Sequence, residues 1–214
     1  EGNRILRKVR YRDIVILLRS MKGNAEIFQK ELMDAGIPAF CSSQTGYFDT
    51  VEVRTLLSLL SVVDNIYQDI DLAAVLRSPI IGMTEEDLGW LKAWGKADHL
   101  WECLTAVKDQ MDLAEKAVKL LLRLREAKTY LPLNELLWMA LDESGYFHYA
   151  GAMPQGKKRQ GNILMLMEQA KAFENHQVKG LFHFVRYMEQ CRDYNMDFGE
   201  ANTLGEDQDL VHIS

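Results

Sequence analysis

A chain of 214 residues with 48% hydrophobic side chains can bury a substantial core, which argues against disorder. Its 31 acidic against 25 basic residues give a net charge of -6, which argues against nucleic-acid binding through bulk positive charge and leaves only local DNA contacts. Cys41, Cys103 and Cys191 are far apart, and no run reaches the ~20 apolar residues of a membrane span or forms a signal-type apolar core. A disulfide scaffold, a zinc knuckle and a transmembrane helix are therefore not expected, and a cytoplasmic location is.

In chain order, Asp13-Ile14-Val15-Ile16-Leu17-Leu18 carries a β-branched apolar run that predicts a strand buried on both faces of a parallel sheet. After Lys22-Gly23-Asn24, Ile27, Phe28, Leu32 and Met33 recur at helical spacing up to Ala35-Gly36, and Ile37–Cys41 reads as the next strand. Strand, helix and strand in so short a span form a βαβ unit, with its ligand side beyond the strand C-termini. From Val51 the pattern turns helical: Val53, Leu56, Leu57, Leu60 and Val63 share a face, and a helix starting at Leu72 breaks at Ser78-Pro79. Thr84-Glu85-Glu86-Asp87 is an N-terminal capping signal for a helix through Trp94-Gly95. Further helices are expected over 100–107, 113–128, 132–145, 162–175 and 180–194, then an acidic exposed connection over 195–209 and a strand-like run from Leu210 to Ser214. The missing initiator methionine and the strand without a closing turn lead us to expect that both ends continue in a longer chain.

Tyr11-Arg12-Asp13-Ile14-Val15-Ile16-Leu17-Leu18-Arg19-Ser20 resembles motif IV of the UvrD/Rep-type superfamily 1 helicases. Gly36-Ile37-Pro38, Gly46-Tyr47-Phe48 and Val51-Glu52-Val53 follow in the family's order. Asp64-Asn65, Gln68 to Leu72, Leu76-Arg77-Ser78-Pro79 with Gly82, Ser144-Gly145-Tyr146, Arg159-Gln160-Gly161-Asn162 and Phe184-Val185 resemble the AddA branch of helicase/nuclease subunits. Asp209 to Ser214 resembles the strand before motif V. The resemblance implies a mixed α/β, predominantly helical fold: a partial RecA-like parallel α/β domain with an inserted all-helical domain. On that basis 1–98 is the start of domain 2A, 99–199 the inserted domain 2B, and 200–214 the return connection toward motif V. It also implies ATP and Mg2+ as cofactors of the whole enzyme, single-stranded DNA and a duplex end as substrate, and an AddB-like partner subunit in double-strand-break repair. No G-x-x-x-x-G-K-[ST] pattern occurs, so the phosphate loop belongs to other sequence and this chain alone is expected to be inactive.

Arg19, at the end of a strand, is the foremost site candidate: the resemblance gives it a γ-phosphate contact, while a solvated arginine is the plain alternative. Leu18 stands where many relatives place an adenine-stacking tyrosine, and is expected to fill core. Glu52 suits the first turn of a helix and is given no catalytic task. Arg77, Ser78 and Gly82 lie in a turn that either offers backbone N–H groups to a DNA phosphate or merely joins two helices. Lys157, Lys158 and Arg159, between Gly156 and Gly161, form either a duplex-phosphate patch or a solvated loop. Arg4, Arg7, Lys8, Arg10 and Arg12 are open to the same two readings. The five histidines show no ligand spacing. Trp90 and Trp94, four apart on one helix, are expected in the core rather than against a base. A non-catalytic helical interaction module, with incidental terminal strands, is the alternative to the motor segment.

Overall fold

The computed structural model describes residues 7–19, 24–41, 47–175, 180–194 and 209–213. Contacts divide the chain into two compact units, Glu1–Tyr47 with Phe198–Ser214, and Phe48–Asp197. Apart from Asp209, the expected acidic connection lies outside the described residues.

In the first unit, a 3-10 turn Tyr11–Asp13 leads into β1 (Val15–Ile16), followed by α1 (Ala25–Asp34) and β2 (Ala39–Cys41). The third strand, β3 (Val211–Ile213), arrives from the far end of the chain and lies between the other two, giving the order β1-β3-β2. Both pairings are parallel, with Val15 opposite His212 and Ala39 opposite Val211. The terminal strands are thus partners in one sheet, not incidental runs. The expectation that β1 is buried on both faces needs correction: Val15 is 54% and Leu17 81% exposed. A strand run rich in Ile and Val looks the same in the middle of a sheet and at its edge, and here β3 takes the middle. The small core of this unit is Ala25, Ala39, Val211 and Ile213, with Ile16, Leu18, Leu32 and Ile37 packed against it. Leu18 fills core as expected, whereas Ile27, Phe28 and Met33 of α1 are exposed. The helix ends on Ala35, and Gly36 takes the positive φ of 77° that favours glycine.

The second unit is helical throughout its regular elements: α2 (Val51–Asp64), α3 (Asp69–Arg77), α4 (Glu85–Gly95), α5 (Leu100–Val107), α6 (Asp112–Ala127), α7 (Leu133–Ser144), α8 (Tyr146–Ala152), α9 (Gly156–Glu174) and α10 (Leu181–Asp193). α2 buries Val53, Leu56, Leu59, Leu60, Val62 and Val63, a stripe broad enough to meet several neighbours. Its C-terminal carbonyls on Val63 and Asp64 accept hydrogen bonds from Arg125 of α6 and from Lys128, the residue that caps α6, at 3.0–3.2 Å. Those two cations sit at the negative end of the α2 dipole, where positive charge is favoured. Pro132 precedes α7, and the carboxylate of Glu174 at the end of α9 accepts the Leu133 N–H at 2.5 Å, satisfying one of α7's open donors. By their contacts, α2 to α4 fall in the same helical unit as α5 to α10.

Thr84 caps α4 as its sequence signal predicts: its hydroxyl accepts the Asp87 N–H at 3.1 Å and the Asp87 carboxylate accepts the Thr84 N–H at 2.8 Å. The backbone and hydroxyl donors of Thr84 hold the Asp87 carboxyl below the usual aspartate range. A depressed folded-state value means that this cap stabilises above the unfolded aspartate value and is lost as pH falls through the folded one. Thr84→Ala removes the hydroxyl donor but keeps the backbone N–H, so the Asp87 titration is expected to rise only part of the way toward the ordinary range, measurable by carboxyl-carbon NMR; an unmoved titration would exclude the hydroxyl as a cause.

Candidate functional site

Arg19 lies three residues past Ile16, the last residue of β1, on the side of the parallel sheet where α/β folds gather ligands. It is exposed, and among the described residues its guanidinium has no ion-pair or hydrogen-bond partner. Of the basic opening, Arg7 is committed to Asp13 through two hydrogen bonds of 2.5 and 2.6 Å. With the Arg10 N–H beside it, that contact lowers the Asp13 carboxyl to about 2. Arg12 uses its N–H on the Asp209 carboxylate at 3.1 Å, next to β3. Arg4 lies outside the described residues.

The turn from Arg77 to Gly82 joins α3 to α4 and uses its own donors. Ser78 is buried; its hydroxyl donates to the Val75 carbonyl at 2.7 Å and accepts the Ile80 N–H at 3.3 Å. The Ile81 and Gly82 N–H groups go to the Ser78 carbonyl, and that of Met83 to the Leu76 carbonyl, at 2.7–3.1 Å. Gly82 provides the φ of 90° that closes the turn. Arg77 pairs with Glu85 at 3.1 Å, and Glu86 and Asp87 add further negative charge to the first turn of α4. The arrangement therefore suits a helix connection better than a phosphate cradle. Ser78→Ala removes two hydrogen bonds and strands the buried Ile80 N–H, an expected loss of about 1–2 kcal/mol in denaturant unfolding. An unchanged midpoint would show the hydroxyl to be dispensable.

The basic run at 157–159 opens α9 rather than forming a loop, because the helix begins six residues before its predicted start. Lys157 is exposed and Lys158 half-buried. Arg159 turns inward instead. Its Nη1 donates to Glu52 Oε2 at 2.7 Å and its Nε to the Pro154 carbonyl at 3.0 Å. Asn162, one turn further, donates from Nδ2 to the other oxygen of Glu52, Oε1, also at 2.7 Å. Glu52 is only 3% exposed, so both its oxygens are satisfied inside the helical unit. Tyr146 of α8 sits beside this cluster, where burial raises its phenol above the usual value against the opposing hydrogen bond from Thr55. The Glu52–Arg159–Asn162 cluster thus pins the start of α9 to the start of α2. Local sequence carries no signal of it, because a first-turn glutamate and a glycine-flanked basic run each have simpler uses.

The expectation that Trp90 and Trp94 lie in the core is also corrected: they are 54% and 49% exposed, their rings 5.2 Å apart on the outside of α4. Helical spacing reports a shared face but not what covers it. Among the described residues no group of three His, Cys, Asp or Glu side chains could hold a metal ion, and no helix is long and apolar enough to cross a membrane.

A family model described as the UvrD-like helicase C-terminal domain matches residues 3–129. The chain is 44% identical over 211 residues to an ATP-dependent helicase/nuclease subunit of Thermoanaerobacter pseudethanolicus. It is 42% identical over 212 residues to the protein of the same name from Acetivibrio thermocellus, and 38% identical over 227 residues to that from Clostridioides difficile. Each alignment covers 97% of this chain but only 17–18% of the relative, so the chain spans less than a fifth of these relatives' length.

Proposed function

We propose, from the premise that this chain belongs to the UvrD-like helicase C-terminal domain family, that it is a motor segment of an ATP-dependent DNA helicase/nuclease subunit. In this reading 1–98 is the start of RecA-like domain 2A, 99–199 the inserted domain 2B, and 200–214 the return connection toward motif V. The observation that carries it is the strand order. β3, next after the whole Phe48–Asp197 unit among the regular elements, runs parallel between β1 and β2. An insertion between strands of one sheet produces that order, whereas a free-standing helical module has no need of it.

Arg19 then projects toward the γ-phosphate of ATP held in a cleft completed by other parts of the enzyme. Its planar fork stabilises charge as the phosphoryl group transfers, and cleft closure moves the enzyme along single-stranded DNA. Magnesium belongs to the whole enzyme in this reading, and among the described residues no group of three His, Cys, Asp or Glu side chains could hold it. Lys157 and Lys158, in the first turn of α9, make sequence-independent contact with duplex phosphates in this reading, and Arg77, Ser78 and Gly82 are weaker candidates for the same task. Arg159 serves this patch through Glu52 rather than by direct contact. A cytoplasmic location, a role in double-strand-break repair and an AddB-like partner protein belong to the same reading.

The full-length subunit should hydrolyse ATP in a DNA-stimulated manner, whereas the 214-residue chain, supplied with magnesium and single-stranded DNA, should show no turnover because it has no phosphate loop. Hydrolysis by the chain alone, or a full-length subunit indifferent to DNA, would overturn the proposal.

A further inference from the structure

Two neighbouring depressions on the helical unit share Arg123 and Glu143, which are ion-paired at 2.9 Å. One, about 360 Å³, is lined by charged groups of both signs, Lys119 paired with Glu115 at 2.5 Å and Asp112 and Lys116 beside them. The other, a groove of about 510 Å³, is lined by Leu131, Trp138, Met139 and Met167. Trp138 is 49% exposed there, its ring 5.9 Å from that of Phe147 and tilted against it. Glu135 and Asp142 sit one turn before and one turn after Trp138 on α7, both exposed, and neither has an ion-pair partner among the described residues.

We infer that this groove docks an amphipathic helix of a partner protein, with an apolar side chain seated on Trp138 between Met139 and Met167 and Lys or Arg side chains reaching Glu135 and Asp142. Glu135 and Asp142, seven positions apart on α7, set their charges about two helical turns apart on either side of Trp138, a spacing that cationic positions along an occupant helix can match. Two methionines give an apolar floor that adapts to the side chain it receives, and a half-exposed tryptophan is the residue type that most often anchors an interface. The unpaired acids fix the sign of the occupant: they repel the phosphates of a nucleic acid and attract cationic flanks. This inference does not depend on Arg19 or on the motor reading, and either can fail without the other.

The test uses the 214-residue chain and a fluorescently labelled 18-residue helix of leucine and lysine, the leucines on one face, followed by anisotropy. Saturable binding is expected, weakened at least tenfold by Trp138→Ala and by Glu135→Lys with Asp142→Lys, and weakened by added salt. The charge reversals lie at exposed positions, so they decide the matter even if Trp138→Ala perturbs folding; circular dichroism checks both variants. A helix with glutamate in place of lysine, or serine in place of leucine, should bind at least tenfold more weakly. Equal binding of the glutamate helix, or affinity unmoved by the charge reversals, would overturn the inference. So would competition by a thymidine oligonucleotide through the groove residues, or self-association of the chain abolished by the same substitutions.

Discussion

In the full-length subunit, Arg19→Ala is expected to lower DNA-stimulated ATP turnover by about 10³-fold while changing nucleotide affinity by less than about tenfold, the pattern of a contact that matters most as phosphoryl charge redistributes. Lysine should restore little, because a point charge on a flexible stem cannot reproduce two parallel donors of fixed geometry. Arg19 is exposed and unpartnered among the described residues, so its loss should leave folding within about 0.5 kcal/mol of the parent. That combination separates a role in the reaction from a role in the fold. Steady-state hydrolysis and nucleotide titration on the same preparations measure both quantities. Turnover within a few-fold of the parent would remove Arg19 from the γ-phosphate contact.

What sequence reveals and what it hides divide along physical lines. α5 is legible at its observed bounds, Leu100–Val107, and the Thr84 capping box is plain, because both depend on residues within a few positions of one another. The parallel pairing of β1, β2 and β3 follows from the apolar runs together with the family resemblance. The exposure of Val15 and Leu17 does not, since it depends on which strand takes the middle of the sheet, and that strand comes from the other end of the chain. α8 escapes recognition because a seven-residue helix after Gly145 carries too few periodic positions to read. The start of α9 is hidden by Gly156 and Gly161, which read as loop residues although both sit within the helix. Of the site residues, Arg19 becomes legible only through the surrounding motif. Arg159 is misread for a different reason: its partner Glu52 is 107 positions away, and no local pattern connects them.

The same pair yields the largest expected effect on stability, and an asymmetric one. Arg159→Ala leaves Glu52, 3% exposed, with its charge unopposed and only Asn162 still bonded to it, and should cost about 4 kcal/mol. Glu52→Ala leaves a guanidinium whose side chain is 26% exposed and can turn partly toward water, so it should cost less, about 2 kcal/mol. Because each single change already destroys the contact, the double variant should cost less than the sum of the two, with a coupling of about 1–3 kcal/mol. All four tryptophans, Trp90, Trp94, Trp101 and Trp138, belong to the helical unit, so their fluorescence in denaturant follows the unit that contains the pair. A DNA-contacting Arg159 would behave in the opposite way: its alanine variant would unfold like the parent and lose affinity for duplex DNA. Single variants within about 0.5 kcal/mol of the parent would therefore return Arg159 to a DNA-contacting basic run with Lys157 and Lys158.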